Sequence, residues 1–239
     1  MLLKRPALCS FAFVVFTAFA APAAKPNIVV ILVDDMGFAD LGCYGSEIPT
    51  PNLDALAADG LKFTQFYNTG RCCPTRASLL TGLYPHQAGV GHMTDDKGVP
   101  GYQGRLNDRC VTIAEVLRPA GYFTAMSGKW HVGYNLGVAP SGRGFERSLC
   151  APAGGFYYAD SPRAKLCLNG EEIKNDDPRL PKGWYTTDLW TTFGLTFIDE
   201  ALAAKKPFYL HLCYNAPHFP LQAPAEDIAK FREIGRAHV

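Results

Sequence analysis

The run Arg71-Cys72-Cys73-Pro74-Thr75-Arg76-Ala77-Ser78-Leu79-Leu80-Thr81-Gly82 places a cysteine at the start of a helical pattern, with an arginine four residues on. A thiolate at a helix N-terminus is stabilised by the helix dipole and by a nearby guanidinium, and any bound anion would meet the same donors. The other reading is a disulfide cysteine beside a basic helix. A second group is Asp34-Asp35, two carboxylates directly after an apolar run. Adjacent like charges raise one pKa unless a cation sits between them, so the pair reads either as hard-metal ligands or as an exposed turn at a strand end. Gly128-Lys129-Trp130-His131 and Ala216-Pro217-His218 add an ammonium and two imidazoles. Lys129 and His131 could equally lie in a solvated turn.

These groups need a scaffold. Residues 27–33 lack polar alternation, as a strand buried on both faces of a parallel sheet would. Thr50 as cap and Pro51 at the first helical position open a short helix with Leu53, Leu56 and Ala57 on its apolar face, stopped by Gly60. Residues 61–67 can form a second strand, and 74–80 read as a helix beginning after the double cysteine. Thr112 and Glu115 make a capping box for a helix through Leu117, ended by Pro119 and Gly121. Residues 122–126 and 207–214 read as strands and 188–204 as the longest helix. The Gly-, Pro-, Tyr- and Asn-rich stretch 137–183 predicts loops and short hairpins.

Strands alternating with helices predict an α/β fold, with a mostly parallel central sheet and helices on both faces. Ligands of such sheets bind at the carboxyl ends of the strands, where Asp34 and Asp35, residues 128–131 and residues 216–218 fall. His211 lies within the last strand and reads as a core histidine, whereas His86 and His92 lie in a Gly-rich loop.

The chain has 239 residues, 48% of them hydrophobic, and a formal net charge of +1. That is enough apolar content for a sizeable core, and too little net charge to recruit nucleic acid or an anionic membrane over a distance. Lys4 and Arg5, the apolar run 7–19 and the small residues 20–24 have the grammar of a signal peptide over residues 1–24. The expectation is an exported protein, periplasmic or secreted, with no integral membrane segment in the mature chain. Export implies an oxidising compartment where cysteines pair. Without Cys9, seven remain (Cys43, Cys72, Cys73, Cys110, Cys150, Cys167, Cys213), an odd set in which one is expected to do something other than bridge. No spacing is CxxC, so no structural zinc site is expected.

Cys72-x-Pro74-x-Arg76 followed by Leu80, Thr81 and Gly82 resembles the signature of the sulfatase family, arylsulfatase-like and formylglycine-dependent members of the alkaline-phosphatase superfamily. The strand running into Asp34 and Asp35, the 128–131 segment and the 216–218 segment resemble three further stretches of that family in the expected order, and the similarity extends over residues 25–232. The resemblance implies an alkaline-phosphatase-like fold and a sulfuric ester hydrolase whose nucleophile is formylglycine made from Cys72. It further implies one Ca2+ held by Asp34, Asp35 and residue 72, with Arg76 holding the formylglycine hydrate. Lys129 and His218 would bind the sulfate or protonate the leaving group, and His131 would orient one hydroxyl of the hydrate. Cys73 would be structural. The implied partners are a sulfate ester, carbohydrate or aryl, and a formylglycine-generating maturation enzyme.

The family's calcium site is completed by an Asp-Asn pair and a lysine from a later strand, which do not occur before Val239. Calcium wants six or more oxygens, so residues 25–232 are expected to be the N-terminal part of the catalytic domain, with an incomplete sheet, an unpaired edge and no activity for the polypeptide as written. The ending Ile234-Gly-Arg-Ala-His-Val239 resembles a translated sequencing adaptor, and 233–239 are expected to be an artefact. Alternatives are a phosphonate or phosphodiester hydrolase of the same superfamily and a non-catalytic protein that binds sulfated glycans.

Overall fold

A computed structural model describes residues 24–232. The expected leader, apart from Ala24, and the 233–239 segment lie outside the described residues. β1 (Ile28–Val33), β2 (Phe123–Lys129), β3 (Arg147–Ala151), β4 (Leu166–Leu168), β5 (Glu171–Ile173) and β6 (Phe208–Tyr214) form one sheet in the order β1-β6-β2-β3-β4-β5. The first four in that order run parallel, and β4 and β5 add antiparallel strands at the far side.

Successive side chains of a strand point to opposite faces, and β6 shows the consequence. Phe208, Leu210 and Leu212 enter one core while Tyr209 and Cys213 enter the other. One core is closed by α2 (Cys72–Thr81) through Cys73, Ala77 and Leu80 and by α3 (Ile113–Leu117) through Ala114. The other is closed by α4 (Thr186–Ala203) through Leu189, Trp190, Phe197 and Ala201. The mostly parallel sheet with helices on both faces is therefore as the sequence predicts.

Several local expectations are corrected. β1 is not buried on both faces: Ile28, Val30 and Leu32 pack against a core, but Val29 and Ile31 are 47% and 50% exposed. Among the described residues β1 pairs only with β6, and α4 lies over β6, β2 and β3 rather than over β1, which leaves Val29 and Ile31 exposed. Residues 61–67 form no strand, and Leu61, Phe63, Phe66 and Tyr67 are exposed. A strand needs a partner for its peptide groups, and no described strand lies alongside. In α1 (Pro51–Asp59), Thr50 occupies the cap position without capping; its hydroxyl donates to Asp54 Oδ1 at 2.8 Å and accepts from Gly42 N at 2.8 Å. α2 begins at Cys72 rather than Pro74, which puts both sulfurs in its first turn.

The capping box on α3 forms, with Glu115 N donating to Thr112 Oγ1 at 3.1 Å and Thr112 N donating to Glu115 Oε2 at 2.6 Å. The disulfide pairing expected from export is not formed among the described residues. All seven cysteines are thiols, although Cys150 and Cys167 stand opposite each other on β3 and β4. No helix of the described residues is long and apolar enough to cross a membrane. A short α5 (Ala225–Phe231) follows β6.

Candidate active site

β1, β6 and β2 are adjacent and parallel, so the residues that follow their carboxyl ends emerge on one rim. Asp34 and Asp35 follow β1, and Asp34 N donates to Ala216 O at 3.2 Å, tying that turn to the one after β6. Asp35 and His131 both have left-handed backbone, φ 61° and 57°, which is sparsely populated by residues other than glycine and clusters at functional sites. Gly128 has φ 118°, and a Cβ there would fall 1.8 Å from Cys213 O. Only glycine lets β2 approach β6 closely enough to bring Lys129 to the rim.

Asp34, 4% exposed, accepts a hydrogen bond from Lys129 Nζ through Oδ2, and its Oδ1 lies 3.4 Å from Arg76 Nη2. Arg76 Nη1 also donates to Lys129 O at 2.7 Å, so the α2 arginine and the β2 lysine are locked together around one carboxylate. Two buried cations face one buried anion, which supplies the local positive charge that a chain of +1 lacks globally. Asp35 is exposed, with Oδ2 3.8 Å from His218 Nε2.

Cys72 Sγ and Cys73 Sγ are 4.0 Å apart, and ligand atoms of Cys72, Cys73 and His131 all lie within 4.8 Å of one another. The Cys73 thiol, the His131 imidazole and the Lys129 charge pull the Cys72 thiol well below its ordinary range, against burial. The same pairing and burial push the Cys73 thiol far up. Arg76 Nε and His131 Nδ1 are buried without hydrogen-bond partners, as groups that contact a ligand would be.

A cavity of about 410 Å3 opens over this cluster, lined among others by Asp34, Asp35, Asn68, Arg71, Cys72 and Arg76. That size suits a small ligand. Asp34, Cys72, Arg76, Lys129 and His131 thus come together, with Asp35 and His218 facing each other at the rim. His211 is a core residue whose Nδ1 lies 3.2 Å from the Tyr209 hydroxyl; burial, then the Arg76 charge, pushes it down to about 3 and keeps it neutral. His86 contacts Tyr102 Oη at 3.0 Å, and His92 accepts from Arg71 Nη1 at 3.0 Å.

Two residues escaped sequence reasoning. Arg71, adjacent to Cys72 in the motif, lines the cavity and is held by His92. Tyr157, from the aromatic-rich loop, donates to His218 O at 2.5 Å and fixes the backbone of that turn.

For a hard cation the donor type is right and the number small. Asp34 and Asp35 provide carboxylate oxygens, but those of Asp34 are engaged by Lys129 and Arg76, and calcium takes six to eight oxygens. Asp34 and Asp35 therefore fit as part of a calcium shell.

The family model described as Sulfatase matches residues 26–237. The chain is 37% identical to an arylsulfatase of Klebsiella aerogenes over 93% of its own length and 50% of that protein's, and 48% identical to human arylsulfatase A over 84% and 43%. It spans about half the length, or less, of the curated relatives it matches. Its fold superposes on the crystal structure of Ps i-CgsB in complex with a neocarrahexaose with a TM-score of 0.77 at 35% identity, covering 88% of this chain and 49% of that one. For BT4656 with its substrate D-glucosamine-2-N,6-O-disulfate the values are 0.70, 28%, 88% and 38%.

Proposed function

Because the chain belongs to the sulfatase family, we propose that it hydrolyses a sulfate ester of a carbohydrate or aryl alcohol, with residues 25–232 as the N-terminal part of the catalytic domain and formylglycine made from Cys72 as nucleophile. The observation that carries this reading is the convergence of Cys72, Arg76, Lys129, His131 and Asp34 from three separate elements in one cluster, of which Asp34, Cys72 and Arg76 line the cavity. A structural secreted protein would have no reason to gather them.

The hydrated aldehyde would supply a geminal diol, with one hydroxyl to attack sulfur and a second whose deprotonation releases sulfate. A calcium ion held in part by Asp34 and Asp35 would supply Lewis-acid polarisation of sulfate oxygens. The chain's own residues do the rest. A sulfate ester under attack gathers charge on its equatorial and leaving oxygens, and preoriented cations in a water-poor site stabilise that charge. Lys129 Nζ and the Arg76 guanidinium, both buried and both held by Asp34, occupy that role. His131, buried beside residue 72, takes the hydroxyl proton, and His218, half-exposed at the rim, protonates the leaving alcohol. The leader grammar of residues 1–24 supports export of the chain, to the periplasm or out of the cell.

The test is to produce the chain with and without a formylglycine-generating enzyme, read residue 72 by peptide mass spectrometry, and assay aryl and sugar sulfates beside the matching phosphate esters. Conversion of Cys72 supports the formylglycine reading, and sulfate turnover supports the hydrolase reading while overturning the expectation that the 239-residue chain is inactive by itself. A preference for phosphate esters moves the function to a phosphodiester or phosphonate hydrolase, and an unconverted Cys72 beside a working maturation enzyme moves it to sulfated-glycan binding.

A further inference from the structure

The two adjacent sulfurs are set at chelating distance. With zinc–sulfur bonds of ~2.3 Å and tetrahedral angles, two thiolates on one ion sit roughly 3.8 Å apart, and Cys72 Sγ and Cys73 Sγ are 4.0 Å apart. His131 brings a third donor within 4.8 Å of both. Its ring is 8% exposed, and Nδ1 is buried with no hydrogen-bond partner. Cys72 lines the open cavity, which gives an ion an entry path and leaves a coordination position for water. The donor set is soft, unlike the oxygen pair Asp34 and Asp35, and the absence of any CxxC spacing hides it because here the two sulfurs come from consecutive residues.

We propose that the chain with unmodified Cys72 binds one thiophilic divalent cation, Zn2+, through Cys72 Sγ, Cys73 Sγ and a ring nitrogen of His131. The sulfurs bind as thiolates, so any thiol proton they carry is released to solvent on binding. The local charge then closes: Arg76 and Lys129 balance Asp34 and Asp35, and the two thiolates balance the ion. Cys72 is also the residue proposed for conversion, so the bound ion withholds its sulfur from the maturation enzyme. This second step rests on the formylglycine reading; the cation site does not.

The experiment uses the reduced 239-residue chain made without maturation enzyme, titrated with Zn2+ and examined by X-ray absorption at the zinc edge. The expected result is one ion per chain with two sulfurs at ~2.3 Å and a nitrogen at about 2.0–2.1 Å, and at least a hundredfold loss of affinity in Cys73→Ser. A four-sulfur shell, which would recruit other cysteines, or a shell without sulfur overturns the site. The wild-type shell decides this even where the variant misfolds. With maturation enzyme added, equimolar Zn2+ should lower Cys72 conversion several-fold in the wild type and leave Cys73→Ser unchanged. Undiminished conversion of zinc-loaded wild type overturns the blocking step, whereas no conversion with or without zinc overturns the formylglycine reading and leaves the cation site standing.

Discussion

Lys129 and Asp34 are 95 positions apart in the chain and meet as a buried ion pair across the carboxyl ends of β2 and β1, with β6 between them. The lysine is 0% exposed. Removing one partner from such a pair leaves an uncompensated buried charge, which costs more than the pair itself contributes. Asp34→Asn leaves both Lys129 and Arg76 facing an amide. The expected loss is about 3–5 kcal/mol of unfolding free energy in urea. A loss under about 1 kcal/mol would mean that water already screens the pair.

Gly128 is the residue that lets Lys129 arrive there. Gly128→Ala must relieve a Cβ placed 1.8 Å from Cys213 O and adopt φ near 118°. Overpacking and backbone strain of this kind cost about 1–3 kcal/mol each, so a loss of about 2–6 kcal/mol is expected in chemical denaturation. A near-neutral alanine would show that β2 and β6 can move apart without consequence.

The α3 cap is an acid-sensitive contact. Arg143 holds Glu115 through two bonds of 3.0 and 3.1 Å, and although burial pushes the Glu115 carboxyl up, Arg143 and Thr112 outweigh it and the pKa is lowered. A depressed carboxyl contributes stability that is present above its unfolded pKa, about 4.3, and is lost as pH falls through the folded value. Glu115→Gln keeps the cap geometry and loses the charge. The stability gap between wild type and Glu115→Gln should be constant near neutrality and shrink below about pH 4. A gap that does not change with acid would assign the contact to hydrogen bonding alone.

Much of this was legible in the chain because the signals are local. Apolar runs marked β1, β2 and β6, the Thr112/Glu115 pair marked α3, and the strand-end positions of Asp34, Lys129 and His218 followed from the alternation of elements. What failed depended on neighbours. Whether Val29 and Ile31 are covered is decided by where α4 lies, and the aromatic run at 61–67 has a strand's composition but no partner strand. Arg71 to His92 and Tyr157 to His218 are contacts between distant loops, which no spacing encodes. The 4.0 Å approach of the Cys72 and Cys73 sulfurs is set by the first turn of α2 and is not stated by their adjacency in the sequence.

Product binding tests the charge arrangement without requiring turnover. Sulfate is the anion this site is proposed to release, and a ligand that binds only the folded state stabilises it by about 2.7 kcal/mol at a hundredfold excess over Kd. Inorganic sulfate should therefore raise the unfolding temperature of the chain in two components: a saturable one from the site and a linear one from exclusion at the protein surface. Lys129→Met removes the buried ammonium while Arg76 still faces Asp34. It should abolish the saturable component, a loss of about 2.7 kcal/mol at a hundredfold excess over Kd, and keep the linear one. If both components survive in Lys129→Met, the anion binds elsewhere, and the exposed guanidinium of Arg71 at the cavity mouth becomes the next residue to replace.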